Sequence, residues 1–192
     1  MNTLACATSN PDKFGMGSAV CKKHGITLEQ IVLDIDEIQG EEPEVIIRDK
    51  AQKAFDELGQ PVIVTDDSWA IAALGGFPGP YMKSINHWFS ADDFMRLMKG
   101  KKDRGITLIQ MLAYCDGLET VVFRSDIPGT IPEHPAGNYG PPIMKVVALD
   151  GDNGKTISEV YDDGKANELD RLHKRSDAWQ TFATWYKQKV AP

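Results

Sequence analysis

The sequence lacks the features that define several classes of protein. Although 42% of its 192 residues are hydrophobic, no apolar run reaches the roughly 18 residues of a membrane-spanning helix. Its first residues show no basic segment followed by an apolar stretch and a small-residue cleavage site, so no secretory signal is indicated. The net charge of -7 disfavours a broad nucleic-acid surface, which needs a basic stripe. We therefore expect a cytoplasmic protein that binds neither membranes nor nucleic acid.

Cysteine is also scarce. The three cysteines, Cys6, Cys21 and Cys115, are odd in number and have no C-x-x-C spacing, which argues against a disulfide framework and against a zinc site. Reduced, mostly buried thiols are the expected state. The length suits one compact domain over residues 1–192, in which a second domain could only be a small lobe.

Apolar segments of strand and helix character share the chain and predict an α/β fold with one central sheet. Pro43 and Gly59 bracket a long amphipathic helical pattern, and Asp116-Gly117 predicts the turn of a hairpin. The predicted strands are 3–8, 27–36, 61–65, 106–114 and 120–124, with further candidates at 130–131 and 144–149; the predicted helices are 13–24, 43–59, one starting at 90, and 168–189.

Three clusters of polar residues could carry chemistry. The first follows the first predicted strand, where a turn leads into a helix at Asn10 and Lys13. A helix N-terminus offers backbone N–H groups and a partial positive charge to an anion, and these two side chains would add donors. Most turns of this kind only connect two elements, so the pattern alone leaves both interpretations open.

The second cluster is acidic and combines Glu41-Glu42 with Asp66-Asp67, which follows the predicted strand 61–65. Adjacent carboxylates repel one another unless a cation lies between them, and Mg²⁺ binds through a few carboxylates plus substrate phosphates. A further carboxylate could then deprotonate a water molecule. The alternative is structural: the aspartates would cap a helix or turn, and the glutamates would form a solvated helix start.

A third, basic cluster near the end of the chain contains Lys165, His173, Lys174 and Arg175. It could hold phosphates or a base. On composition alone a solvated, charged helix face is the better interpretation.

Four segments, in their order along the chain, resemble the inosine triphosphate pyrophosphatase family. Residues 8–13 (TSNPDK) are similar to the family's T-x-N-x-x-K loop, and residues 38–41 (IQGE) to its Q-G-E segment. Asp66 precedes by eight residues the string LGGFPGPY at 74–81, as the family's key aspartate does. The string is long and specific, and the resemblance extends over most of the chain.

The resemblance implies an elongated α/β molecule with a mixed sheet, two lobes around a nucleotide cleft, and a homodimer. It implies hydrolysis of ITP, dITP or XTP to monophosphate and pyrophosphate. Mg²⁺ would be held by Glu41 and Asp66, and Asp66, Asp67 and Lys13 would be catalytic. The implied substrate-binding residues are Thr8, Ser9, Asn10, Lys13, Ser68, Tyr139, Lys165, Lys174 and Arg175.

Departures from the family pattern concern the recognition of the base. The G-F-G-Y-D-P-I segment of the family corresponds to GNYGPPI at 137–143, so Tyr139 would have to stack on the base from a shifted position. In the stretch 168–175, Arg175 is kept, Lys174 replaces a histidine, and Lys165 would substitute for a phosphate-binding lysine. Two alternatives therefore stay open: a pyrophosphatase for a pyrimidine or modified nucleotide, and a nucleotide-binding protein without catalysis.

Overall fold

A computed structural model describes residues 3–164 and 177–190 of the chain. In these ranges the chain forms seven strands and six helices, together with two short 3₁₀ turns. The strands are β1 (Thr3–Ala7), β2 (Thr27–Ile31), β3 (Val62–Ile71), β4 (Pro78–Gly79), β5 (Gly105–Cys115), β6 (Thr120–Thr130) and β7 (Ala148–Leu149). The helices are α1 (Pro11–Lys23), α2 (Pro43–Leu58), α3 (Met82–Trp88), α4 (Ala91–Leu97), α5 (Ile157–Asp163) and α6 (Asp177–Lys189).

The strands form one mixed sheet in the order β2-β1-β3-β5-β6-β7, and β4 pairs with β3. The predicted α/β class and mixed central sheet are therefore confirmed. The chain divides into two compact units. The first unit comprises the described residues of Met1–Asp67, Gln110–Ser125 and Arg171–Pro192; the second comprises those of Ser68–Ile109 and Asp126–Asp170.

In the first unit, β1 lies between two parallel neighbours, β2 and β3. Helix α1 starts where Asn10 caps it and Pro11 supplies a preset backbone angle. Helix α2 begins at Pro43 and ends at Gly59, whose φ of 62° closes the helix in the left-handed conformation. The bracketing of this helix by Pro43 and Gly59 is thus confirmed.

The core of the first unit joins the sheet to α1 and α6. Leu4 and Ile63 of the sheet, Val20 of α1, and Trp179 and Phe182 of α6 are all buried in one cluster. Since the six-membered ring of Trp179 lies where a β-carbon on Gly17 would stand, the two helices approach closely only because residue 17 has no side chain. The helix predicted over 168–189 is confirmed over Asp177–Lys189, within the part of the chain that the structure describes.

In the second unit, the LGGFPGPY string at 74–81 follows β3 and contains β4. Gly75, Gly76 and Gly79 all have positive φ, and the Phe77–Pro78 bond is cis, so the special backbone angles expected of the string are confirmed. Short helices follow: Ser90 and Asp93 form a capping box at the start of α4. Another capping box, made by Thr156 and Glu159, starts α5.

Several predicted bounds are wrong, for identifiable reasons. The strand predicted over 27–36 ends at Ile31 because its partner β1 ends at the paired residue Ala7. Of the strand candidate 144–149, only Ala148–Leu149 pairs with β6, and Pro142–Lys145 form a 3₁₀ turn. Helix α5 was not predicted.

The state of the three cysteines agrees with the expectation from the sequence. Cys6, Cys21 and Cys115 are all free and buried, as predicted for reduced thiols. Among residues 3–164 and 177–190, every helix is too short or too polar to cross a membrane.

Candidate active site

The candidate site lies where the connections of the sheet diverge. From β1 the chain passes through α1 to β2, on one side of β1, whereas β3 lies on its other side. Ligands of open α/β sheets bind outside the carboxyl ends of strands at such a switch point. Ala7, the last residue of β1, pairs with Val64, so β3 extends beyond β1 and places Asp66 and Asp67 beside the turn that starts α1.

Hydrogen bonds within the chain organise that turn. The amide of Asn10 donates to Thr8 Oγ1 at 3.2 Å, and the side chain of Gln30 donates to the Thr8 carbonyl at 3.0 Å. Asn10 Oδ1 accepts from the amides of Asp12 and Lys13 at 2.9 and 3.2 Å. These contacts fix the turn at the end of β1.

The capping by Asn10 corrects one expectation. The sequence predicts that backbone N–H groups at this helix start are available to an anion, but the amides of Asp12 and Lys13 are taken by Asn10 Oδ1 and Pro11 has no N–H. Ser9 and Asn10 themselves are exposed. An anion at this turn would therefore be bound mainly by side chains.

Lys13 and Asp67 form an ion pair in which Lys13 Nζ lies 3.1 Å from Asp67 Oδ2. Both side chains are largely covered, with 22% and 26% of their surface exposed. Burial alone would lower the pKa of Lys13, but the negative charges of Asp67, Asp66 and Glu37 raise it above its usual value. Lys13 is therefore a fixed positive charge next to the carboxylates, as phosphate binding requires.

Asp66 is a carboxylate in unfavourable surroundings. Burial raises its pKa, the charges of Lys13 and Lys50 oppose that effect, and the neighbouring carboxylates Asp67 and Glu37 add to it. Within a strand, successive side chains point to opposite faces, so Asp66 and Asp67 face different sides of β3. The expectation that these aspartates follow the strand is wrong, because β3 continues through them to Ile71.

Glu37 and Lys50 were missed by the sequence analysis. Lys50 Nζ lies 2.7 Å from Glu37 Oε1 and donates to the Thr65 carbonyl at 3.2 Å. Thus a second lysine, from α2, reaches the same part of β3. Lys50 belongs to the polar part of an amphipathic helix and Glu37 to an irregular segment, so neither position carried a signal in the sequence.

The predicted metal pair of Glu41 and Asp66 stays a prediction. Glu41 is exposed just before α2, and Glu42 occupies the N-cap position without a side-chain capping bond, as the alternative of a solvated helix start predicted. Among the residues that the structure describes, no group of three or more His, Cys, Asp or Glu side chains could hold a metal ion. The carboxylates that raise the pKa of Asp66, beyond the effect of burial, are Asp67 and Glu37.

The chemistry of the site nevertheless fits Mg²⁺. Asp66, Asp67 and Glu37 offer only hard oxygen donors, and their three negative charges outnumber the two positive charges of Lys13 and Lys50. Mg²⁺ usually needs one or two protein carboxylates, because water and substrate phosphates supply the remaining ligands. A divalent cation would also relieve the repulsion from Asp67 and Glu37, which adds to the effect of burial on the pKa of Asp66.

The other predicted substrate-binding residues are distributed elsewhere. Ser68 is buried inside β3, with 2% of its surface exposed, which does not favour contact with a ligand. In the second unit, the ring of Tyr139 stacks on that of Tyr161, with centroids 4.4 Å apart and planes within 4°. Lys165, Lys174 and Arg175 lie outside the described residues.

Comparison with known proteins places the chain in a family. The model of the Ham1 family matches residues 4–185. A dITP/XTP pyrophosphatase from Methanopyrus kandleri is 32% identical over 186 residues, covering 96% of each chain. An inosine triphosphate pyrophosphatase from Tuber melanosporum is 34% identical over 191 residues, covering 95% of this chain and 96% of the relative.

Solved structures agree on the fold. A HAM1 protein from Coxiella burnetii superposes with a TM-score of 0.80 at 17% identity, covering 98% of this chain and 100% of the other. The predicted resemblance to the inosine triphosphate pyrophosphatases is confirmed by the family model and by the named relatives. The chain is a member of the Ham1 family.

Proposed function

We propose that the chain hydrolyses nucleoside triphosphates to the monophosphate and pyrophosphate. One observation carries the proposal: the Lys13–Asp67 ion pair lies beside Asp66 at the switch point of the sheet. Water would add its oxygen to the α-phosphorus while the bond to the bridging oxygen of the pyrophosphate breaks. The proton of the water would pass to a carboxylate, so that atoms and charge balance.

Lys13 would bind the phosphate chain. Its ammonium group is charged and held at the start of α1, with Asp67 as its partner at 3.1 Å. Turning towards a phosphate would release Asp67, whose carboxylate could then take the proton of the attacking water. Ser9 and Asn10, exposed in the preceding turn, and Thr8 would contact the same phosphates.

Mg²⁺ is proposed as the cofactor, with Asp66 as its principal protein ligand. Glu41, predicted from the resemblance, and Glu37, which acts on Asp66, are the candidates for a second ligand. Bound there, Mg²⁺ would stabilise the charge that develops on the phosphate oxygens.

The proposed substrates are the non-standard purine nucleotides ITP, dITP and XTP. Support comes from the names of the relatives: dITP/XTP pyrophosphatase in Methanopyrus kandleri and Methanosarcina mazei, and inosine triphosphate pyrophosphatase in Tuber melanosporum. The two dITP/XTP pyrophosphatases are 32% and 31% identical to this chain over nearly its whole length.

The test is release of pyrophosphate from a panel of nucleoside triphosphates, with and without Mg²⁺. We expect turnover of ITP, dITP or XTP with Mg²⁺, and its loss in Asp66→Asn. Asp163→Asn is the matched control, because it makes the same chemical change at a surface carboxylate that is 60% exposed. If the wild type releases no more pyrophosphate than Asp66→Asn from any triphosphate, the proposal is wrong.

A second candidate keeps the reaction and changes the base. The stack of Tyr139 on Tyr161 favours it, since one face of the ring expected to contact the base is already covered. A pyrimidine or modified triphosphate would then be the better substrate. Specificity constants compared across bases, in the wild type and in Tyr139→Leu, would separate the two candidates.

The homodimer and the cytoplasmic location stay predictions from the resemblance and the sequence. Light scattering of the purified chain would test the first. A mass of twice 21.2 kDa is the expected result.

A further inference from the structure

A small cavity lies directly behind the Lys13–Asp67 ion pair. It is lined by residues of β3, β5, α1 and α6, all within the first unit, and its volume is about 10 Å³. Its polar wall consists of Lys13, Thr65, Asp67 and Gln110, and apolar residues such as Trp179 complete it. A space of this size holds about one water molecule.

Two oxygen atoms in this wall are buried without a hydrogen-bond partner among residues 3–164 and 177–190. They are Thr65 Oγ1 and Gln110 Oε1, on side chains that are only 6% and 7% exposed. Buried polar groups almost always have a partner, and two such oxygen atoms on the polar wall of one cavity are typical of a bound water. Since Thr65 and Asp67 are two residues apart in β3, they lie on the same face of the strand.

We propose that one ordered water molecule occupies this cavity and makes Thr65 and Gln110 positioning residues for the ion pair. The water would donate one proton to Thr65 Oγ1 and the other to Gln110 Oε1. It would accept a hydrogen bond from the ammonium group of Lys13. These three bonds are the usual number for a buried water.

The water determines where the Lys13 ammonium rests. Lys13 has a long, flexible side chain, and the ion pair with Asp67 alone fixes only one of its three donors. A second donor, bound to the water, keeps the ammonium group beside β3, where it can bind an incoming phosphate. This consequence rests on the proposed function, whereas the water site itself does not.

Crystallography of the full chain at high resolution tests the site directly. We expect electron density for one water within hydrogen-bond distance of Thr65 Oγ1 and Gln110 Oε1. The same density should be absent in Thr65→Val, which keeps the shape of the side chain, and present in Thr65→Ser, which keeps the hydroxyl. A direct hydrogen bond between Thr65 and Gln110, or a dry cavity in the wild type, would overturn the proposal.

Kinetics test the positioning role. In Thr65→Val and in the nearly isosteric Gln110→Met, we expect KM for the triphosphate to rise about threefold to tenfold, the effect of one hydrogen bond, with a smaller change in kcat. Thr65→Ser should restore the wild-type KM. Because both side chains act through one water, the double variant should resemble either single variant.

Two results would contradict the positioning role: additive effects of the two substitutions, and an unchanged KM in a variant whose crystals lack the water. The crystallographic result does not depend on turnover. A wild type that contains the water but hydrolyses no triphosphate would therefore support the water site and count against the proposed function alone.

Discussion

The closeness of α1 to α6 makes Gly17→Ala a sharp test of the packing behind the site. A β-carbon at residue 17 would lie 2.4 Å from two ring atoms of Trp179, whereas ordinary contacts begin at 3.4 Å. The indole would have to retreat by about 1 Å. It has little room, because Trp179 is 3% exposed and packs edge-on against Phe182, which is fully buried.

The expected magnitude follows from two opposing effects. Overpacking of a well-packed core costs about 1–3 kcal/mol, while replacing glycine by alanine inside a helix gains about 0.5–1 kcal/mol. We therefore expect Gly17→Ala to lower the free energy of unfolding by up to about 2.5 kcal/mol. In a chain of this length that corresponds to a fall in Tm of up to roughly 10 °C.

Gly15→Ala in the same helix is the matched control. A β-carbon at residue 15 meets no atom within 4 Å, so only the gain in helix propensity applies and Tm should rise slightly. Thermal unfolding followed by circular dichroism measures both variants under one set of conditions. If Gly17→Ala is as stable as Gly15→Ala, the close approach of Trp179 does not constrain α1, and the reasoning is refuted.

Three further substitutions test the charges. Lys13→Met should reduce kcat/KM by about 10-fold to 150-fold, because a charge-assisted hydrogen bond to a phosphate contributes about 1.5–3 kcal/mol; an unchanged kcat/KM would exclude Lys13 from binding. Asp66→Asn should stabilise the metal-free protein at neutral pH. The pKa of Asp66 is raised in the folded protein, so the stability that Asp66 contributes is fully present below its unfolded-state pKa. That stability is lost as pH rises through its folded-state pKa. Urea unfolding of the variant and the wild type, at neutral and at acidic pH, measures this gain in the free energy of unfolding. A lower free energy of unfolding in the variant at both pH values would contradict the prediction. Lys189→Met should destabilise the fold at neutral pH by up to about 2 kcal/mol, since burial raises the pKa of Asp116 but Lys189 and two backbone amides bring it down from 3.8 to about 2. That contribution is present above pH 3.8 and is lost as pH falls to about 2, so unfolding curves of variant and wild type should converge in acid.

Local signals in the sequence predicted the elements of the first unit well. Pro43 and Gly59 predict the start and the end of α2, because each acts through its own backbone angle and does not depend on contacts with the rest of the chain. The end of β2 could not be predicted in this way. It is fixed by the length of β1, its pairing partner, and the apolar residues after Ile31 carry no information about that partner.

The site was predicted in part, for a related reason. Asn10, Lys13 and Asp66 belong to short motifs whose spacing can be recognised along the chain, and the structure brings Lys13 and Asp66 together. Glu37 and Lys50 join them only through the packing of α2 on the sheet. Glu41 also belongs to a recognisable motif, and the structure places it, exposed, just before α2.

Because Asp66 and Asp67 lie within β3, this one strand contacts side chains from two helices. Had both aspartates followed the strand, as the sequence suggested, they could have turned towards a single partner. Inside a strand they face opposite sides, and Asp67 pairs with Lys13 of α1 while Lys50 of α2 binds the adjacent Thr65 carbonyl. Because a shift of one residue would exchange the two faces, the pairing of Ala7 with Val64 determines which aspartate meets which lysine. The register of β1 on β3 is thus as much a part of the site as the charged side chains themselves.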